Sequence, residues 1–191
     1  MTAGALSVTS KLSHREDVAP LISGVHFMPY CSPYRCSMGC NKNNKCNFEC
    51  VNFIKNTLES PHSGIEKPAA IIIEPIQGES GTYIPKEGWL EKIVDIARKN
   101  DILVIFDEIQ AGFYRTGKFF SFEHTNAIPD IITMSKGIGG IGYPLSLILY
   151  KKELDIWKPG THIGTFGEIS WGWQLVLQLL SWQKNLILNH M

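Results

Sequence analysis

The chain is predicted to be α/β, a mostly parallel sheet with flanking helices and one antiparallel strand, on three observations. Apolar runs without alternation, Ala69 to Glu74, Ile102 to Phe106 and Ile131 to Met134, have the character of strands buried on both faces, as in a parallel sheet. Between the first two lies Lys86 to Asn100, an amphipathic helix with Trp89, Leu90, Ile93, Val94 and Ala97 on one stripe and charges opposite. After the third, the glycine turn from Gly137 to Gly142 is too short for a crossover, so the strand from Pro144 to Tyr150 is expected to return antiparallel.

Taken in order, residues 1–45 read as irregular, with a short apolar start (Ala5, Leu6, Val8), Pro20, Pro29 and Pro33, and a polar tip at 41–45. From Cys46 to Leu58, Phe48, Val51, Phe53, Ile54 and Leu58 recur at helical spacing, and Pro61, Ser63 and Gly64 end that helix. The strand from Ala69, a loop marked by Gly78 and Gly81, the helix from Lys86 and the strand to Asp107 form a right-handed βαβ unit. A Gly- and aromatic-rich connection, Gln110 to Asn126, leads to the strand Asp130 to Met134, and a short helical piece follows Lys152. The end, Trp171 to Met191, is apolar without a clean stripe.

At 191 residues the chain fits one domain with an appendage. Its 18 basic and 18 acidic residues balance, which favours neither nucleic acid nor an anionic membrane as partner. The N-terminus lacks the basic start and apolar centre of a signal peptide, and no uninterrupted apolar stretch is long enough for a bilayer, so a cytosolic protein is expected. The five cysteines, Cys31, Cys36, Cys40, Cys46 and Cys50, contain no CxxC pair and read as reduced thiols rather than a metal site. His26, His124 and His162 have no metal-ligand spacing.

Chemistry concentrates between Ile102 and Gly140. One strand ends in Asp107 and another is followed by Lys136, so a carboxylate and an amine reach one sheet edge, where open α/β sheets bind ligands. A desolvated lysine amine condenses with aldehydes. An ionised carboxylate holds a pyridine nitrogen protonated and makes that ring an electron sink. These are the two protein groups that pyridoxal phosphate chemistry needs, and the ordinary alternative is a strand-end salt bridge.

The segments EPIQGESG (Glu74 to Gly81), DEIQAGFYRTG (Asp107 to Gly117), PDIITMSKGIGG (Pro129 to Gly140) and GTF (Gly164 to Phe166) together resemble the class III, fold type I, pyridoxal-phosphate-dependent aminotransferases. Within that family the chain is most similar to the diaminobutyrate–2-oxoglutarate branch, to which GVHFMPY and the YRC segment also point. The resemblance implies that Lys136 is the catalytic lysine bonded to the cofactor and then the base, that Asp107 pairs with the ring nitrogen, and that Gln110 approaches the ring's phenolic oxygen. It implies a substrate-site role for Glu79, and for Thr165 a contact with the phosphate of the neighbouring subunit's cofactor, hence a homodimer. Arg115 and Lys118 read as structural or dimer-contact residues.

The reaction implied is transfer of an amino group from an amino acid, such as 2,4-diaminobutyrate, to a 2-oxo acid such as 2-oxoglutarate. Alternatives are a racemase or aminomutase with the same cofactor, or a catalytically dead fragment with a binding role. On this resemblance residues 46–166 form part of the cofactor-binding large domain, without the glycine- and serine-rich phosphate turn and the aromatic that stacks on the ring. Residues 167–191 depart from the family and read as a frameshifted or mis-spliced tail. Little or no turnover by this chain alone is therefore expected, along with exposed apolar sheet surface.

Overall fold

The computed structural model describes residues 2–18, 20–40, 46–79, 81–140, 142, 144–161 and 181. Its contacts divide the chain into two units, Met1–Pro68 and Ala69–Met191.

In the first unit the apolar start is a short helix, α1 (Ala3–Val8), capped by the Thr2 hydroxyl accepting from Ala5 N at 3.3 Å. Ser7 is buried because its hydroxyl donates to Ala3 O at 2.7 Å and accepts from Ile22 N at 3.0 Å. Farther along, the Arg15 guanidinium lies 4.8 Å from the centre of the Phe27 ring. The helix expected from Cys46 starts later, as α2 (Glu49–Glu59), because Phe48 has φ 59°, a left-handed backbone that cannot continue a right-handed helix. Cys50, Val51 and Ile54 form its buried stripe. None of the five cysteines is in a disulfide.

The second unit holds a four-stranded sheet in the order β1 (Ala70–Ile73), β2 (Leu103–Asp107), β3 (Ile131–Met134) and β4 (Leu147–Tyr150). The first three strands are parallel and the last is antiparallel, as the short turn before it requires. Helix α3 (Trp89–Lys99) connects β1 to β2 and packs on β2, burying Trp89, Leu90, Ile93, Val94, Ile96 and Ala97. It begins after Gly88, whose φ of 81° turns the chain into the helix three residues beyond the expected Lys86. Glu91 in its first turn and Arg98 and Lys99 in its last complement the helix dipole.

The core of this unit is centred on Phe106, Val104, Ile93 and Phe122, with the Phe106 and Phe122 rings 5.6 Å apart. The other sheet face is less covered than the continuous apolar runs imply. Ile72 is 44% exposed and Ile148 53% exposed, and the register puts both on the face opposite Phe106. The expected burial of the first strand on both faces is thus corrected: Ile72 is exposed, and Ala70, Ile71 and Ile73 are half-buried in a strand at the edge of the described sheet.

One side chain ties three strands together. Asp130 accepts from Val104 N at 2.8 Å through Oδ2 and from Lys151 Nζ at 2.6 Å through Oδ1. Asp130→Ala leaves a buried strand amide and an ammonium unmatched, and is expected to lower stability by about 2 kcal/mol, read as an unchanged slope and an earlier midpoint in urea. An unaltered midpoint would show that the tie contributes nothing. The fourth strand starts at Leu147 rather than Pro144. Proline brings no N–H to a ladder, and the Leu145 carbonyl accepts from the Ser135 hydroxyl at 3.0 Å instead.

Candidate active site

Parallel strands β1, β2 and β3 run toward one edge, and just past their ends come Glu74, the Asp107–Gln110 segment and Lys136. Asp107 lies opposite Thr133 in the β2–β3 register. Its Oδ1 accepts from Ile109 N at 2.9 Å, a local turn that redirects the chain so that Ile109 and Gln110 face a cavity. That cavity, of about 450 Å³, is lined by Lys136, Gln110, Ile109, Gly78, Arg115 and Thr116, among others. Asp107 is not among the described residues lining it.

Lys136 Nζ donates to Gln110 Oε1 at 3.1 Å. The lysine has φ 48°, a left-handed conformation at a residue that carries a Cβ. A short 3₁₀ turn, Lys136–Gly139, follows at once, so the amine is presented from the start of a tight turn after the strand. The side chain is exposed, which corrects the expectation of a desolvated amine. Here the carboxyls are the less exposed partners, each half-buried.

Burial is the main influence on both carboxyls, and raises each above its ordinary value. For Asp107 the Ile109 N–H, the Lys136 charge and the Thr133 hydroxyl pull the other way. For Glu74 the Gly78 N–H and Lys136 pull down, while Asp107 and Glu79 push up. Glu74, Asp107 and Lys136 therefore belong to one electrostatic group, with Glu79 beside it.

The structure joins Gln110 to Lys136, keeps Asp107 within electrostatic reach of Lys136 but outside the cavity lining, and leaves Glu79 exposed on the loop after β1. Thr165, and the tail from Trp171 apart from Ser181, lie outside the described residues. Arg115, read from sequence as structural or a dimer contact, lines the cavity. Three further residues carry the site without having been singled out. Ile109 supplies apolar wall, Glu74 accepts from Gly78 N at 3.0 Å, and Glu108 is buried with its carboxylate on Ser121 and Phe122. For Ile109 the alternation after Asp107 was a usable signal, since its neighbour Glu108 turns inward.

The donor set fits pyridoxal phosphate on its ring side. An amine, a carboxamide that already meets it and a half-buried carboxylate within electrostatic reach of both strand ends are the groups that bind an aldehyde, a phenolic oxygen and a ring nitrogen. Among the described residues, no group of three or more His, Cys, Asp or Glu is placed to hold a metal ion, and no helix is long and apolar enough to cross a membrane.

Residues 1–169 match the family described as Aminotransferase class-III. Diaminobutyrate–2-oxoglutarate aminotransferase of Haemophilus influenzae is 44% identical over 167 residues, which are 87% of this chain and 36% of that relative. Ornithine aminotransferase of Toxoplasma gondii, whose active site holds pyridoxal phosphate at partial occupancy, superposes with a TM-score of 0.72 at 28% identity over 96% of this chain and 38% of its own. An (S)-enantioselective omega-transaminase of Thermomicrobium roseum gives a TM-score of 0.76 at 28% identity over 96% of this chain and 42% of its own. The sheet and its helices are thus part of the fold type I architecture of these enzymes.

Proposed function

The chain belongs to the class III aminotransferase family, and from that premise we propose that its strand-end site serves amino-group transfer between an amino acid and a 2-oxo acid. Pyridoxal phosphate is the cofactor that membership of the family indicates. Relatives named for diaminobutyrate and 2-oxoglutarate support that pair as donor and acceptor. The observation that carries the proposal is the contact of Lys136 Nζ with Gln110 Oε1 at the edge where Asp107 ends its strand.

When bound, the cofactor supplies a conjugated ring that accepts electron density from a substrate's Cα. The protein's part is positional and acid–base. Lys136 would provide the amine that holds the aldehyde carbon, and the same amine would carry the proton from the substrate's Cα to that carbon. Asp107 would hold a proton on the ring nitrogen. Its burial opposes ionisation, and the Ile109 N–H, the Lys136 charge and the Thr133 hydroxyl offset only part of that. Gln110, which meets the amine through its oxygen, would orient the phenolic edge. Ile109 excludes water from one wall of the cavity. Glu79 as a substrate-site residue, Thr165 as a phosphate contact across a homodimer and a cytosolic location rest on the resemblance and the sequence.

The chain spans 36% of the Haemophilus influenzae relative, so the test is one that needs only residues present here. Pyridoxal phosphate is added to the purified chain, the complex is reduced with borohydride, and peptides are read by mass spectrometry. Modification concentrated on the peptide with Lys136 is expected. Labelling spread evenly over the surface lysines would overturn the proposal.

A further inference from the structure

The loop after β1 reaches the amine through a contact relay that starts at Glu74. Glu74 Oε2 accepts from Gly78 N at 3.0 Å, which pins the turn that follows the strand. Farther along the loop, Gln77 and Tyr83 exchange backbone hydrogen bonds at 3.1 Å, so Gly78 sits at the base of a closed turn. Its Cα is pressed against the Gln110 side chain. A Cβ at this position would lie 2.4 Å from Gln110 Cδ and 2.7 Å from both Nε2 and Oε1. Gln110 Oε1, so confined, is the atom that accepts from Lys136 Nζ at 3.1 Å.

We infer that Glu74 is a positioning residue. Its carboxylate holds Gly78 against the Gln110 carboxamide and thereby sets where Gln110 meets the Lys136 amine. The inference deepens the function proposed above, because Lys136 matters to amino-group chemistry only on that reading. The relay itself requires no cofactor. It also explains why a glycine stands at 78, where any side chain would displace the carboxamide.

The test measures the Lys136 amine in the full chain without cofactor, by trace acetic anhydride labelling and mass spectrometry, with Lys151 as internal standard. Lys151 is held by Asp130 at 2.6 Å on the far strand and reports that the sheet is intact. Glu74→Ala and Glu74→Gln both remove the charge, but only the glutamine keeps an oxygen for Gly78 N. The alanine chain is expected to label at Lys136 about fivefold faster than the glutamine chain, the equivalent of one lost hydrogen bond. Gly78→Ala, which pushes Gln110 away with Glu74 in place, is expected to reproduce the faster labelling. Equal labelling of the two Glu74 variants overturns the inference, as does a rise at Lys151 that matches the rise at Lys136. Failure of pyridoxal phosphate to couple to Lys136 defeats the proposed function and leaves this measurement standing.

Discussion

Glu108→Ala is expected to destabilise the fold by roughly 3 kcal/mol, shifting the urea midpoint by about 1–2 M at unchanged slope. The side chain is 2% exposed. Its Oε1 accepts from Ser121 Oγ at 2.8 Å and Phe122 N at 3.0 Å, and its Oε2 from Ser121 N at 3.0 Å. Truncation leaves all three donors buried without a partner, at roughly 1–3 kcal/mol each, and relief of the carboxylate's own burial returns part of that sum. The clamp also seats the aromatic cluster of Phe119, Phe120 and Phe122, whose rings lie 4.7 and 5.3 Å apart in sequence order.

Its pH signature has a definite sign. Burial pushes the Glu108 carboxyl above its ordinary 4.5 although the Ser121 and Phe122 donors pull it down. The folded state then holds this proton more tightly than the unfolded chain. The group's contribution is complete below 4.5 and is lost as pH rises through the raised value. Glu108→Gln should flatten that descent. Glu74 and Asp107 carry the same sign, so the slope shrinks without vanishing. A wild-type midpoint for Glu108→Ala would mean that the clamp contributes no stability.

Lys136→Gly separates chemistry from stability at one position. All borohydride-trapped cofactor should be lost from this peptide, since the amine that meets Gln110 among the described residues is that of Lys136. Yet the variant should be about 1 kcal/mol more stable than Lys136→Ala, because φ 48° strains any residue with a Cβ and leaves glycine relaxed. Equal stability of the two variants would mean that the turn relaxes around its occupant. Trapped cofactor persisting in the glycine variant would remove Lys136 from the reaction. Such strain at a reacting residue is a cost that the surrounding turn must sustain.

Much of the scaffold was legible because its signals are local. The stripe of α3, the apolar runs of the strands and the short turn before β4 follow from nearest-neighbour patterning, and all were recovered. The element starts were missed where one backbone angle decides them, at Phe48 and Gly88. In the candidate site, the placement of Asp107 and Lys136 at one end of the sheet was legible because strand ends mark them. The roles of Glu74 and Glu108 were not, since their partners are loop N–H groups and a serine hydroxyl whose positions no residue pattern encodes. The exposure of Lys136 was hidden for a related reason. Proximity to half-buried carboxyls says nothing about whether the amine itself is covered.

The strand order β1-β2-β3-β4 is also the order of synthesis. Among the described strands, each after the first pairs with the one encoded immediately before it. Assembly of this sheet can therefore follow the ribosome, growing by one edge at a time, with loop closure limited to adjacent elements. The chemistry lies along the carboxyl ends of these strands: Asp107 is encoded with β2, and Lys136 follows β3.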